Sequence, residues 1–82
     1  MIIRIVTNDG EWFNVALNSR AILSNKCRPN WDTESKRVWS ACRLRGACKY
    51  DGVKSVNGHA PEVRELMDLI DFAESIIFKW GE

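Results

Sequence analysis

The first seventeen residues predict a β-hairpin, and no other feature of the sequence restricts the fold as strongly. Two β-rich runs, MIIRIV and EWFNVAL, flank the turn segment TNDG. A two-residue Asp-Gly loop would mix polar and apolar side chains on both faces. A type I turn closed by Gly10 in a G1 bulge separates them, because it pairs Ile5 with Phe13 and Ile3 with Val15. The predicted core face is Ile3, Ile5, Phe13, Val15 and Leu17, with Trp12 and Val6 paired on the opposite face.

Residues 18–32 allow two interpretations. The apolar trio Ala21-Ile22-Leu23 fits one helical turn capped by the preceding Asn-Ser pair, and it equally fits a short third strand. Because Pro29 fixes its own φ and restricts its neighbour, the segment around it is predicted to be a turn or extended.

A helix is predicted from about Thr33 to Arg45. Asp32 or Thr33 suits the N-cap, and Glu34 lies in the first turn, where the helix dipole favours an acid. Gly46 suits the position just past the helix end. On a helical wheel, the predicted apolar face consists of Val38, Trp39, Ala41 and Cys42. The opposite, basic face consists of Lys36, Arg37, Ser40 and Arg43.

After this helix, the sequence predicts turns, a short strand and a second helix. Asp-Gly at 51–52 and Asn-Gly at 57–58 are turn signals, and the weakly alternating segment 53–56 is predicted to extend the hairpin. Pro61 suits the first helical position, and Gly81 follows the predicted end. The apolar row of this final helix is Val63, Leu66, Ile70, Ala73, Ile77 and Trp80, widened by Met67, Leu69, Phe72, Ile76 and Phe78.

The breadth of this apolar arc, about two-thirds of the wheel, exceeds the stripe of an ordinary surface helix. Such a helix is wrapped by its own chain or covered by a second molecule, so a homodimer through it is an open alternative. The sequence predicts one α+β domain over residues 1–82. In it, an N-terminal antiparallel β-hairpin, with or without a third short strand, packs against two α-helices, the C-terminal one long and central.

The near-neutral net charge of +1 hides an uneven distribution. Residues 20–54 have nine bases and three acids, whereas residues 55–82 have two bases and six acids. Charge asymmetry of this kind indicates the kind of partner that a protein meets and does not restrict its fold. The basic middle segment is therefore the predicted place of contact with an acidic or phosphate-lined surface.

Four side chains are candidate zinc ligands, namely Cys27, Cys42, Cys48 and His59. Their spacing lacks the close CxxC pair that usually anchors such a site. On one helix, Cys42 and Cys48 would point about 240° apart. We therefore predict no metal and no cofactor. The odd number of cysteines excludes a closed disulfide framework within one chain and favours a reducing compartment, the cytoplasm.

Catalytic motifs are missing from the sequence. Nucleophilic catalysis requires a nucleophile, a base and an orienting group. The single histidine, His59, lies in a loop next to the final helix, and there is no phosphate-binding loop and no metalloprotease motif. We predict that the chain is not an enzyme.

Macromolecular binding is the predicted function, because Arg, Trp and Tyr dominate the energetics of interfaces. The partner is expected to be a protein or a nucleoprotein complex. The predicted partner-binding residues are Arg28, Trp31, Lys36, Arg37, Arg43, Arg45, Lys49, Tyr50, Lys54 and Trp12. The alternative is direct nucleic-acid binding through the basic segment 26–54, since bases neutralise phosphates and aromatic rings stack on unpaired nucleobases.

Chain length adds one further expectation about biological role. Small proteins without motifs are frequent among phage and mobile-element accessory proteins, so an inhibitor of a host enzyme or of host defence, or an adaptor, is expected. No apolar run approaches the about 20 residues that a membrane span needs, so no membrane partner is predicted.

Overall fold

The computed structural model describes residues 2–78 as a four-stranded antiparallel sheet with two helices packed on one of its faces. The strand order is β3-β2-β1-β4. The elements are β1 (Ile2–Thr7), β2 (Trp12–Ala16), β3 (Ala21–Ser24), α1 (Thr33–Gly46), a π-helical turn (Ala47–Asp51), β4 (Val53–Val56) and α2 (Val63–Ile77). The predicted α+β class with N-terminal strands is confirmed, and α2 is the longer helix.

The predicted hairpin register is confirmed. Ile5 pairs with Phe13 and Ile3 with Val15, and Gly10 has the positive φ, +91°, that the bulge requires. The prediction of Leu17 as a core residue is wrong. Strand β2 ends at Ala16, so Leu17 enters the turn towards β3 and is exposed.

Two short strands complete the sheet. Of the two interpretations of residues 21–23, the strand is correct: β3 pairs with β2, and Ile22 lies opposite Val15 inside the core. Segment 53–56 extends the hairpin as predicted, because β4 pairs with β1 across a bulge between Val6 and Thr7. Strands β1 and β2 therefore each have a neighbour on both sides.

Helix α1 begins as predicted, but two of its side chains lie on the side opposite to the predicted one. The Asp32 side chain caps it by accepting a hydrogen bond from the backbone N–H of Ser35, at 2.7 Å. The predicted apolar face is correct for Ala41, which is fully buried, and wrong for Cys42, which is exposed. Ser40, predicted on the basic face, is fully buried with Ala41 and Leu44. The reason is that Ser40 Oγ accepts a hydrogen bond from the backbone N–H of Ser24, at 3.0 Å. This bond to β3 orients Ser40 towards the sheet.

Helix α1 ends at Gly46, one residue beyond the predicted Arg45, but Gly46 is not the predicted C′ residue. Gly46 has a helical φ of −63°, and the chain continues into the π-helical turn. Gly52 ends this turn instead, with φ +89° and with its backbone N–H donating to Ala47 O at 2.9 Å. A glycine tolerates a helical φ as well as a positive one, so glycine alone does not mark the end.

Helix α2 begins with a capping box formed by Glu62 and Glu65. Pro61 therefore precedes the cap, and its prediction as the first helical residue is wrong. The fully buried stripe of α2 is Leu69, Ala73 and Ile76. Val63 and Met67 face solvent, so the chain covers α2 on one side. The predicted positions of Trp80 and Gly81 lie outside the described residues.

The core lies between the inner face of the sheet and the two helices. Its members are Ile5, Phe13, Val15, Ile22, Ala41, Leu44, Val56, Leu69, Ala73 and Ile76. None of the helices within residues 2–78 has the length and apolar character needed to cross a bilayer.

Candidate binding surfaces

Four of the predicted binding bases form ion pairs within the chain. Arg37 pairs with Glu34 at 2.6 Å, and Arg43 pairs with Glu11 at 2.6 Å. Arg45 and Lys49 share one carboxylate, that of Glu74, at 2.6 Å and 3.7 Å. These carboxylates compensate much of the positive charge that the sequence places in segment 26–54.

The pair of bases at Glu74 connects the two helices. Arg45 lies in the last turn of α1 and Lys49 in the π-helical turn, whereas Glu74 belongs to α2. The hydrogen bond from Arg45 lowers the pKa of Glu74 and raises that of Arg45. These two bases therefore stabilise the packing of α2 in addition to any contact with a partner.

A buried carboxylate joins α1 to the sheet. Burial raises the pKa of Glu11, but hydrogen bonds from Arg43 and Ser24 outweigh it, so that this pKa lies below its ordinary value. Arg43 Nη2 donates to Glu11 Oε1 at 2.6 Å, and Ser24 Oγ donates to Oε2 at 2.6 Å. The Glu11–Arg43 pair, with Ser24 and Ser40, is therefore a satisfied polar network.

Two tryptophans lie beside Arg43. Its guanidinium is 5.2 Å from the centroid of the Trp39 ring, and the rings of Trp31 and Trp39 meet edge to face at 5.3 Å. Trp39 was predicted to belong to the apolar face, yet it is half-buried and lines a surface concavity with Arg43 and Cys42. Glu11 also lines this concavity and pairs with Arg43, so the aromatic ring of Trp39 is its main feature for binding.

The four candidate zinc ligands occupy separate environments. Cys27 Sγ is 3.0 Å from Ser40 Oγ, and His59 Nε2 is 3.1 Å from Glu65 Oε2. Burial raises the pKa of the Cys48 thiol to about 11. Within residues 2–78, no three histidine, cysteine or acidic side chains are grouped closely enough to hold a metal ion.

The remaining predicted residues are spread over one loop and three elements. Arg28 and Lys36 lie before and within α1, Lys54 lies in β4, and Tyr50 lies in the π-helical turn. Among the side chains that the structure describes, no ion pair involves Arg28, Lys36 or Lys54. Their role as partner-binding residues stays a prediction.

The outer face of the sheet is a second surface, and it contains Trp12. Both helices pack on the opposite face, so Ile2 is 63% and Leu23 44% exposed. By strand alternation, the outer face consists of Ile2, Arg4, Val6, Trp12, Asn14, Ala16, Ala21, Leu23 and Ser55. This set combines apolar and aromatic side chains with one cation and has no acidic member.

Arg4 holds the Trp12 ring in place on this outer face. The Arg4 guanidinium is 4.4 Å from the centroid of the Trp12 ring, and its Nε donates to Asn14 Oδ1 at 2.6 Å. Arg4 was not among the predicted binding residues. The predicted register already placed it opposite Asn14 and diagonal to Trp12, so the alternation pattern contained the signal.

Comparison with protein-family models, with curated proteins and with solved structures finds no match for this chain.

Proposed function

We propose that the chain is a non-catalytic binding protein that docks a protein partner on the outer face of its sheet. The observation on which this depends is the Arg4–Trp12 stack on a face that neither helix covers. A tryptophan whose ring is fixed before binding loses little conformational freedom on association. Trp and Arg are also the residue types most often found at energetic hot spots.

The chemistry of this face favours a protein partner with an apolar patch next to a carboxylate. Arg4 is the only charged residue among these nine paired positions, and exposed Lys54 lies beside Ser55 at the bulge of β4. Both charges are positive, so the complementary group is an anion. Ile2 and Leu23 flank the stack with aliphatic surface, which matches apolar side chains of a protein. A small protein that binds in this way acts by occupying its partner's surface, as an inhibitor or an adaptor.

Direct nucleic-acid binding is the second candidate. It would use the bases of segment 26–54, of which Arg28, Lys36 and Lys54 have no ion pair among the described side chains. On the sheet face, Arg4 already lies over the Trp12 ring and donates to Asn14, and the exposed side chains of Ile2 and Leu23 are aliphatic. This arrangement favours apolar contacts over stacking of successive nucleobases.

The test compares two matched pairs of variants. The protein bound in stoichiometric amount is isolated from a lysate of the organism that encodes the chain, produced separately and titrated by calorimetry. Arg4→Glu and Trp12→Ala are expected to weaken binding about tenfold or more. Arg28→Glu and Tyr50→Ala change an arginine and an exposed aromatic residue outside the nine positions of the outer face, and they are expected to leave the dissociation constant nearly unchanged. Circular dichroism confirms that all four variants are folded.

Three results would contradict the proposal. Loss of binding only in Arg28→Glu and Tyr50→Ala would place the binding site in the basic segment 26–54. Equal binding by all variants would exclude both surfaces. Tight binding of labelled single-stranded DNA or RNA with a steep salt dependence, by wild type and by Trp12→Ala alike, would support the nucleic-acid function.

A further inference from the structure

Helix α2 has an apolar row that the chain leaves exposed. Val63 is 74% and Met67 59% exposed, and the half-buried Ile70 continues the row at helical spacing. In a monomer these side chains remain in contact with water, which costs free energy in proportion to their area. The row lies on α2, which packs on the inner face of the sheet, and is therefore separate from the outer face proposed for the partner.

Two opposite charges lie along one edge of this row. Arg64 and Asp71 are seven residues apart, about two helical turns, so they lie on the same side of α2. Both are exposed, and neither has an ion pair among the side chains that the structure describes. A base and an acid at this spacing are complementary to a second copy of the same helix that runs in the opposite direction.

We infer that the apolar row of α2 is the interface of a two-fold symmetric homodimer. A two-fold axis near Met67, perpendicular to an antiparallel pair of α2 helices, places Arg64 of each copy opposite Asp71 of the other. The same axis brings Met67 against Met67 of the second copy and Val63 towards Ile70 of the second copy. A surface with both charges placed for reciprocal pairing is self-complementary, as a two-fold interface requires.

Charge reversal tests this arrangement because the two contacts are reciprocal. Sedimentation velocity over a wide concentration range is expected to show a monomer–dimer equilibrium for the wild-type chain. Arg64→Asp and Asp71→Arg each create two like-charge pairs and are expected to weaken dimerisation about tenfold, given the modest energies of exposed ion pairs. The double variant Arg64→Asp/Asp71→Arg restores both pairs and is expected to dimerise like wild type.

Mixing the two single variants gives the sharpest readout. In a heterodimer of Arg64→Asp with Asp71→Arg, both contacts join opposite charges, so the mixture is expected to associate more tightly than either variant alone. Lys26→Asp, a charge reversal on the exposed loop after β3, is the control and is expected to behave like wild type.

The proposal is overturned by a wild-type chain that stays monomeric up to its solubility limit. It is equally overturned by single variants that dimerise as tightly as wild type, or by a mixture no more associated than its components. None of these results affects the proposed partner face, which is tested with separate variants.

Discussion

At the scale of single residues, the Glu11–Arg43 pair joins α1 to the sheet. Glu11 is buried and also accepts a hydrogen bond from Ser24, whereas the guanidinium of Arg43 remains partly in water. Removing one partner of such a pair leaves a buried polar group poorly satisfied, which costs more than the loss of an exposed pair.

We expect Glu11→Gln to lower the free energy of unfolding by about 2 kcal/mol at neutral pH, as for hydrogen bonds to charged groups. The pKa of Glu11 is lowered in the folded state, so its stabilisation is present above the unfolded pKa. It is lost as the pH falls through the folded pKa. Urea titrations should therefore show the difference from wild type shrinking in acidic buffer.

The matched control is Glu34→Gln, which removes the carboxylate that pairs with Arg37 on the surface of α1. Exposed pairs of this kind contribute about 0.3 kcal/mol. Two results would contradict the role of the buried ion pair in stability. One is an equal loss of unfolding free energy in Glu34→Gln and Glu11→Gln, and the other is a loss in Glu11→Gln that does not depend on pH.

The sequence indicated some single-residue features and not others. Trp12 was placed on the outer face because alternation in a hairpin is strict. The partners of Arg43 and Arg45 could not be predicted, since Glu11 and Glu74 lie 32 and 29 residues away along the chain. Charge counts along a sequence do not show which bases a fold pairs with its own acids.

At the scale of elements, the continuous helical segment formed by α1 and the π-helical turn ends at Gly52. Gly46 has helical torsion angles, and a Cβ added there would have no atom within 4 Å. Gly52 has φ +89°, and a Cβ added there would collide with the Asn8 side chain. The two glycines are therefore expected to respond to alanine in opposite directions.

We expect Gly46→Ala to stabilise the protein by about 1 kcal/mol, the difference in helix propensity between the two residues. We expect Gly52→Ala to destabilise it by about 2 kcal/mol through backbone strain. Thermal or urea unfolding of both variants measures this directly. Destabilisation by Gly46→Ala would indicate that Gly46 has the positive φ of a C′ residue, as the sequence alone suggests.

The two helices were harder to predict than the hairpin. In the hairpin, turn chemistry and alternation favour the same register, and the structure confirms it. In α1, the apolar pattern favoured Cys42 on the inner side, but a backbone hydrogen bond from β3 draws Ser40 inward. A contact between distant segments therefore determines which side of α1 faces the sheet, and a helical wheel contains no information about such a contact.

At the scale of the whole molecule, β1 and β2 form the centre of the sheet. Each pairs with two neighbours, whereas β3 and β4 have four residues each and form the edges. Ile5, Phe13 and Val15 on the central strands are fully buried. The N-terminal hairpin is therefore expected to be the part of the structure most resistant to local unfolding.

Native-state hydrogen exchange measures this persistence. The amides of Ile5, Phe13 and Val15 are expected to exchange only on global unfolding, and those of β4 and the first turn of α2 earlier. Longer protection of α2 than of β1 in dilute solution would contradict this order and would make the helix the stable nucleus.

The buried polar residues Glu11, Ser24 and Ser40 have a consequence for what the molecule shows to its surroundings. Their bonds set the rotational phase of α1 about its own axis. Apolar content alone favours another phase, with Cys42 turned inward. Both rotations of α1 preserve the helix and the order of the strands. They differ mainly in which α1 side chains are exposed to solvent. We infer that a chain without these buried polar bonds would keep the same fold but expose a different face of α1.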